Sequence, residues 1–551
     1  MGNPLGLLCG WGKLRWPMGS QTASTPPLKG PAPSIQGGSR LLRVLPLLAI
    51  LVAVLATSLY AIDFGPHWDE DNAWLKPLER SLREGKPLPG KYNYPTFGYW
   101  ITVLAIVPEV IGALVQGLDV SDYVIERIYG QPFRIRLRVM FLLVSCLGFV
   151  WMHRLVLRWR GSWLEAALAT ALLAFSWEVA YHIRWVAPDG LLMQFGALTM
   201  LCTLAAVRSE DGRRWLYASA IAAGLGCGSK YPGGILIAPV LIAAGMVGAQ
   251  GGLSIRSRLR QLGIVGALFV GTFLVTTPGS LFEYEMFRRD LDYEMIHYRE
   301  AGHGVYTVAA GSDHLGRMLE YFGGHVLSPF EPVAWALTAL ALVGMVALAR
   351  ERFMLFVLCA SFPVLYVGYM STMVVSAVRN VLVISPFLAL FAARGAMVAC
   401  TALRARSARI VIGGAVAAAV AANIVYVFHA AERTRHRGFE RSLGELSEHV
   451  ASHGDRTFAL SPRVRAGLAD SGALADLSNT REPGAEGSTH VATLAVECAP
   501  AIDTWVLGPI DLFWFGPKEI NFRYYPTAWG YEERILVMPI ATAREVGLPG
   551  Y

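Results

Sequence analysis

Charge is scarce in this sequence, and so is cysteine. Only 16% of its 551 residues are Asp, Glu, Lys or Arg, 54% are hydrophobic, and the mean hydropathy is +0.42. A soluble protein of several domains, with about 25% charged residues, is thereby excluded. The seven cysteines lie mostly in or beside apolar runs, and no spacing among them forms a zinc motif or a disulfide framework. The N-terminal region lacks a small-residue cleavage site after a short apolar core. Residues 1–40, rich in Gly, Pro and Ser, are therefore expected as a disordered cytoplasmic tail and not a signal peptide. No internal repeat supports a solenoid or an inverted-repeat transporter. The net charge of +7 would point a soluble chain toward nucleic acid, but here the basic residues fall in short segments between apolar runs. They are topology signals, and no nucleic-acid partner is expected.

What is abundant is apolar sequence in blocks of span length. Runs near 43–62, 139–157, 162–180, 189–207, 215–229, 232–249, 261–277, 331–349, 353–371, 379–398 and 408–428 each approach the roughly 20 residues needed to cross a bilayer. The expected fold is an all-α polytopic membrane protein of about eleven transmembrane helices. A twelfth run, 97–117, could cross or lie along the surface. If it lies flat, Arg154, Arg158 and Arg160, then Arg208, Arg213 and Arg214, then Arg256, Arg258 and Arg260, then Arg350 and Arg352 all fall on the side of the basic N-terminus. That arrangement puts a long first loop, 63–138, a second large loop, 278–330, and everything after 430 on the extracytoplasmic side. Residues 41–430 then form the membrane module, and 431–551, where composition changes sharply, a small soluble α/β domain.

Chemistry-bearing residues gather on that outer face. The first loop opens with His67-Trp68-Asp69-Glu70-Asp71. Acids after a helix end are often only solvated, but here they sit at the interface in a loop too long for a mere connection. A partly dry carboxylate there suits removal of a proton from a hydroxyl nucleophile. At Arg184-Trp-Val-Ala-Pro188-Asp189 a proline break places an acid at the start of the next helix, and Arg184 could meet a phosphate. Lys230, in Gly-Ser-Lys230-Tyr231-Pro232, runs against the positive-inside trend and is a candidate for an anionic ligand; the Gly-Lys-Ser/Thr order of a phosphate loop is absent. Arg379, Arg136 and Arg138 are further phosphate candidates. His297 and His303, with Glu70, are candidate ligands for a divalent ion, though their spacing lacks the i,i+4 pattern of a zinc helix.

In order and spacing, several of these features resemble one family. They are Asp69-Glu70 after the first helix, Tyr94-Pro95-Thr-Phe-Gly-Tyr99-Trp100, Arg136-Leu-Arg138, the Arg184 to Asp189 corner and the Lys230-Tyr231-Pro232 break. Over about residues 41–400 the chain is similar to GT-C-fold glycosyltransferases of the dolichyl-phosphate-mannose protein mannosyltransferase and aminoarabinose transferase type. The resemblance implies a membrane-bound transferase that moves a sugar from a polyprenyl-phosphate donor to a glycan, lipid or protein hydroxyl, with inversion, on the outer face of the cell membrane. Under it Asp69, Glu70 and Asp189 are the catalytic candidates. Arg184, Lys230, Arg379 and Arg138 are candidates for the donor phosphate, and His67, Tyr94, His297 and His303 for acceptor or sugar. Alternatives that remain open are a lipid-linked glycan ligase or polymerase and a transporter or flippase. A transporter would need ionisable residues in mid-helix, where these runs carry few.

Overall fold

The computed structural model describes residues 40–60, 62–63, 68–302, 306–402, 405–435, 438–470, 472–482, 485–494, 505–507 and 535–545. The expected tail over 1–39 lies outside them, as do His67 and His303.

Two rims of polar contacts organise the helices. On one, Arg160 pairs with Glu351 at 3.2 Å, Arg394 pairs with the same carboxylate, and Arg208 donates to the Trp159 carbonyl at 2.7 Å. On the other, the site rim, residues near 62–63, 68–76, 182–189, 229–231, 276–298 and 371–380 are bound to one another. Among the described residues, eleven segments run between the rims. They are Arg40–Tyr60, Gln131–Arg160, the broken pair Trp163–Ala174 and Trp177–His182, Pro188–Arg208, Gly212–Ser229, Tyr231–Gln250, Ile255–Thr276, Glu331–Glu351, Phe353–Ser371, Arg379–Ala402 and Arg406–Arg435.

Among the described residues, ten helices are individually long and apolar enough to cross a membrane. Two crossings fall outside that set. Gly212–Ser229, about 27 Å long, is built largely of Gly, Ala and Ser and opens on Arg213 and Arg214. The run expected as one span at 162–180 breaks at Phe175, beyond which Ser176 donates to the Val326 carbonyl at 2.7 Å.

The tenth apolar candidate is 97–116, and it does not run between the rims. It is two helices, Phe97–Ala105 and Val107–Gln116, divided at Ile106 just before Pro108. At the first end Thr96 Oγ1 donates to the Thr276 carbonyl at 2.5 Å; farther along, Arg136 donates to the Ala105 carbonyl at 2.9 Å and pairs with Glu109. Both anchors are on the site rim. Gln131–Arg160 explains how this is possible, since 30 residues make about 45 Å of helix against about 30 Å of hydrocarbon. Its first turns stand at the site rim, where Gln131 donates to the Asp63 carbonyl at 2.6 Å and Arg138 to the Ile62 carbonyl at 2.9 Å, and Phe133, Leu137 and Phe141 pack there against Trp74, Tyr99 and Ile101. Leu104, Ile111, Leu114 and Val115 stay exposed, an apolar face suited to the membrane interface.

The tightest helix pair is Glu331–Glu351 against Ser385–Ala402. A Cβ on Gly395 would overlap the Leu340 carbonyl, and one on Gly344 the Phe391 carbonyl. Small residues here let two backbones touch, the usual means of association in lipid. Gly395→Val is expected to lower thermal stability by about 1–3 kcal/mol, while Gly413→Val, with nothing near its Cβ, leaves the melting curve unchanged. A fluorescence melt in detergent would distinguish them.

Beyond the last crossing, the described part of the C-terminal region is a small α/β unit. Its five strands run β2-β1-β3-β5-β4, with β1 (Phe458–Leu460) parallel to β2 (Thr480–Arg481) and β3 (His490–Leu494), and β5 (Ile535–Pro539) antiparallel to β3 and β4 (Trp505–Leu507). Helix Gly438–Ser452 covers it, burying Leu443, Leu446 and Val450 on Phe458, Leu460 and Val537.

Candidate active site

A cavity of about 840 Å³ opens on the site rim. The acidic triplet of the first loop enters it by a local irregularity, because Asp71–Leu75 is wound as a π-helix between α-helical turns. Such insertions re-aim side chains and recur at functional sites. Each acid of the triplet meets a different arginine. Glu70 is buried and accepts from Arg138 Nε at 2.8 Å, from Arg138 Nη2 at 2.6 Å and from the Val186 N–H at 3.2 Å. Asp71 accepts from Arg134 at 2.5 Å. Only Asp69 faces the cavity, where it pairs with Arg379, whose guanidinium also lies 5.6 Å from the Trp185 ring centroid.

A second charged group lies deeper. Lys230 Nζ donates to Asp189 Oδ1 at 2.6 Å and to Asn380 Oδ1 at 2.7 Å. The break between Gly212–Ser229 and the 3-10 turn Tyr231–Leu236 exposes this lysine inward, and Asp189 opens the helix that follows Pro188. Asp189 Oδ2 and Asn380 Nδ2 are buried without a hydrogen-bond partner among the described residues. Buried polar groups are ordinarily satisfied, so these two atoms retain hydrogen-bonding capacity beside Lys230. Lys230 and Asn380 line a small, mainly apolar cleft with Leu291, Met295, Tyr366, Tyr369, Met370 and Met373. This cleft and the large cavity share four wall residues, Asn93, Tyr94, Glu294 and Tyr298.

Glu294 comes from the helix Tyr284–Ile296 and accepts from Asn93 Nδ2 at 2.6 Å. Burial holds its carboxyl above the usual range, against the lowering effects of the Asn93 hydrogen bond and of Lys230, Lys91 and Arg379. His297 stacks on Tyr293, with rings 6.0 Å apart and nearly parallel, and burial pushes its pKa down. At the cavity wall it is thus held toward the neutral ring.

The sequence-predicted residues therefore separate into groups. Asp69, Arg379, Tyr94 and His297 line the cavity, and Lys230 lies in the adjoining cleft with Asp189 behind it. Arg138 and Glu70 are spent on each other, away from the cavity wall. Arg184 is also interior, 3% exposed, with burial pushing its pKa down to about 10. Among the described residues no cluster of three or more His, Cys, Asp or Glu is placed to hold a metal ion, and Glu70 is committed to Arg138 rather than to His297. Sequence reasoning passed over Glu294, Asn93 and Lys91, while Asn380 was marked only as the neighbour of Arg379 at the head of a span. Glu294, His297 and Tyr298 do share i, i+3, i+4 helical spacing, which would have flagged the first of them; Asn93 carries no such signal.

Residues 126–275 match the dolichyl-phosphate-mannose-protein mannosyltransferase family. Among solved structures, the chain is similar to ArnT from Cupriavidus metallidurans bound to undecaprenyl phosphate, at 13% identity and a TM-score of 0.46 over 90% of this chain and 97% of that one. It is also similar to the oligosaccharyltransferase AglB from Archaeoglobus fulgidus, determined with an inhibitory peptide and a dolichol-phosphate, at 11% identity and a TM-score of 0.45 over 83% of this chain and 70% of that one. No curated protein matches the chain by sequence. The matched segment runs from the end of the first loop through Ile255–Thr276, and over it the chain is similar to the dolichyl-phosphate-mannose-protein mannosyltransferases.

Proposed function

We propose that this protein transfers a sugar from a polyprenyl-phosphate donor to an acceptor hydroxyl, with inversion, on the extracytoplasmic face of the cell membrane. The observation that carries this reading is the pairing of two compartments across a shared wall. A large polar and aromatic cavity containing Asp69 adjoins an apolar cleft that holds a buried lysine. A lipid-linked sugar is amphipathic in the same way: its isoprenes need an apolar cleft, its phosphate a cation at the cleft's head, and its sugar a polar room beyond.

In the proposed reaction Lys230 and Arg379 stabilise the charge that grows on the departing phosphate. Asp69 takes the proton of the acceptor hydroxyl as that oxygen bonds to the anomeric carbon. The bond from the anomeric carbon to the phosphate oxygen breaks with its electron pair going to the phosphate, and attack from the opposite side inverts the centre. Arg379 connects the two events. It pairs with Asp69, and a bound phosphate competes for the same guanidinium and releases the Asp69 carboxylate toward the acceptor hydroxyl. The extracytoplasmic placement is supported by Arg158, Arg160, Arg208 and Arg352 at the opposite rim, since positive charge favours the cytoplasmic side.

Titration of farnesyl phosphate onto the protein in nanodiscs tests the phosphate site. Arg379→Ala is expected to raise Kd at least about tenfold, the effect of losing one charged hydrogen bond. An unchanged Kd would remove Arg379 from the donor site.

A further inference from the structure

The two compartments meet where the donor's own chemistry changes, at the bond between sugar and phosphate. The shared wall fixes which residues stand there, and one of them is ionisable in a way the reaction above does not use. Glu294 has Oε1 engaged by Asn93 Nδ2 at 2.6 Å, and among the described residues no cation pairs with it. The other cavity acids differ: Asp69 is held by Arg379, and Asp290 pairs with Arg289 at 2.7 Å while accepting from the Tyr92 N–H at 2.8 Å. Lys91 is likewise occupied, donating to the Asn72 carbonyl at 3.0 Å. A carboxylate at the waist of the cavity whose hydrogen bond is to an amide, with Lys230, Lys91 and Arg379 near but not paired to it, is therefore available to hydroxyl donors of a ligand.

We propose that Glu294 holds the donor's sugar ring at the waist, accepting hydrogen bonds from its hydroxyl groups, and that it restricts the donor to neutral or amino sugars. This inference rests on the polyprenyl-phosphate reading. With the phosphate at Lys230 and the isoprenes in the apolar cleft, the first sugar atoms past the phosphate reach the wall formed by Asn93, Tyr94, Glu294 and Tyr298. A carboxylate there accepts from hydroxyls next to the anomeric carbon, and such contacts strengthen as that carbon gains positive charge. Its own partial burial, which holds the carboxyl above its usual range, makes a second fixed anion beside it unfavourable. A uronic acid would place such an anion beside Glu294, in a cavity where Arg379 and Arg289 are already paired with Asp69 and Asp290. An amino sugar would instead bring a compensating charge.

The test compares four lipids on the full-length protein in nanodiscs: farnesyl phosphate, and farnesyl phosphate bearing a neutral hexose, an amino pentose or a hexuronic acid. In the wild type the neutral or the amino sugar should bind at least about tenfold more tightly than bare farnesyl phosphate, and the uronic acid should bring no gain. Glu294→Gln keeps the acceptor for Asn93 and should abolish the sugar's advantage while leaving bare farnesyl phosphate within about twofold, which also shows that the variant is folded. Glu294→Asp should recover part of the advantage. A Glu294→Gln protein that keeps the full preference for the sugar, or that loses bare farnesyl phosphate and sugar-bearing lipid equally, would overturn the assignment. So would a wild type that takes the uronic acid as tightly as the neutral hexose. If the wild type binds none of the four lipids, the donor reading itself fails, an outcome distinct from the others.

Discussion

Asp69→Asn is expected to slow sugar transfer by about 10²–10⁴-fold, the contribution of a positioned general base. The same variant should keep its melting temperature and bind farnesyl phosphate at least as tightly as the wild type, because Arg379 is no longer held by a carboxylate. The amide is the same size as the carboxylate, and Asp69 lies at the cavity wall, where water can solvate the substituted group. An acceptor-independent hydrolysis of donor that survives in the variant would agree with this, because phosphate departure rests on Lys230 and Arg379 and not on Asp69. Full transfer activity in Asp69→Asn would show that another group removes the acceptor proton. Comparing kcat with KM sharpens the assignment: a base acting only in the transition state lowers kcat and kcat/KM together.

The neighbouring residue should behave in the opposite way. Glu70→Ala is expected to destabilise the fold by about 3–5 kcal/mol, the usual effect of leaving one member of a buried ion pair alone. Arg138 is fully buried; two of its nitrogens meet Glu70 and a third donates to the Ile62 carbonyl at 2.9 Å. Deleting the carboxylate strands that guanidinium beneath the active-site loop and releases the Val186 N–H as well. The readout is yield of monodisperse protein and a melting curve in detergent. A Glu70→Leu/Arg138→Leu double variant should recover much of the lost stability, since apolar replacement of a whole buried pair is often near neutral. If Glu70→Ala were instead stable and inactive, Glu70 would belong to the chemistry. The two adjacent acids thus separate cleanly, one by rate and the other by stability.

Much of the membrane architecture can be read from the sequence, because apolar run length and arginine placement are local properties. Runs near 139–157 and 353–371 fall inside crossings at Gln131–Arg160 and Phe353–Ser371. The run 97–117, continuous in sequence, is two helices held at Thr276 and Arg136. Less visible was that 163–182 is two helices, because Phe175 and Ser176 form an apolar stretch in sequence and the break comes from a distant carbonyl at Val326. The site divides in the same fashion. Asp69 is marked by its place in the first loop and by the family resemblance, Lys230 by its departure from the positive-inside trend, and each lines a cavity. That Asp189 pairs with Lys230, and Arg138 with Glu70, rests on contacts between residues 41 and 68 positions apart, for which one sequence carries no signal. Arg184 and Arg138 looked like phosphate ligands because arginine near an interface is an efficient anion binder. The fold buries both, Arg138 on an internal carboxylate.

The central claim is that the cleft beside Lys230 receives a polyprenyl phosphate whose sugar enters the Asp69 cavity. A polyprenyl phosphate carrying a diazirine on its second isoprene, irradiated with the wild type in nanodiscs and followed by peptide mass spectrometry, tests it directly. Label on the peptides containing Leu291, Met295, Met370 or Met373, suppressed by excess unlabelled polyprenyl-phosphoryl sugar, is the predicted result. Label spread over lipid-facing helices and insensitive to that competitor would contradict the account.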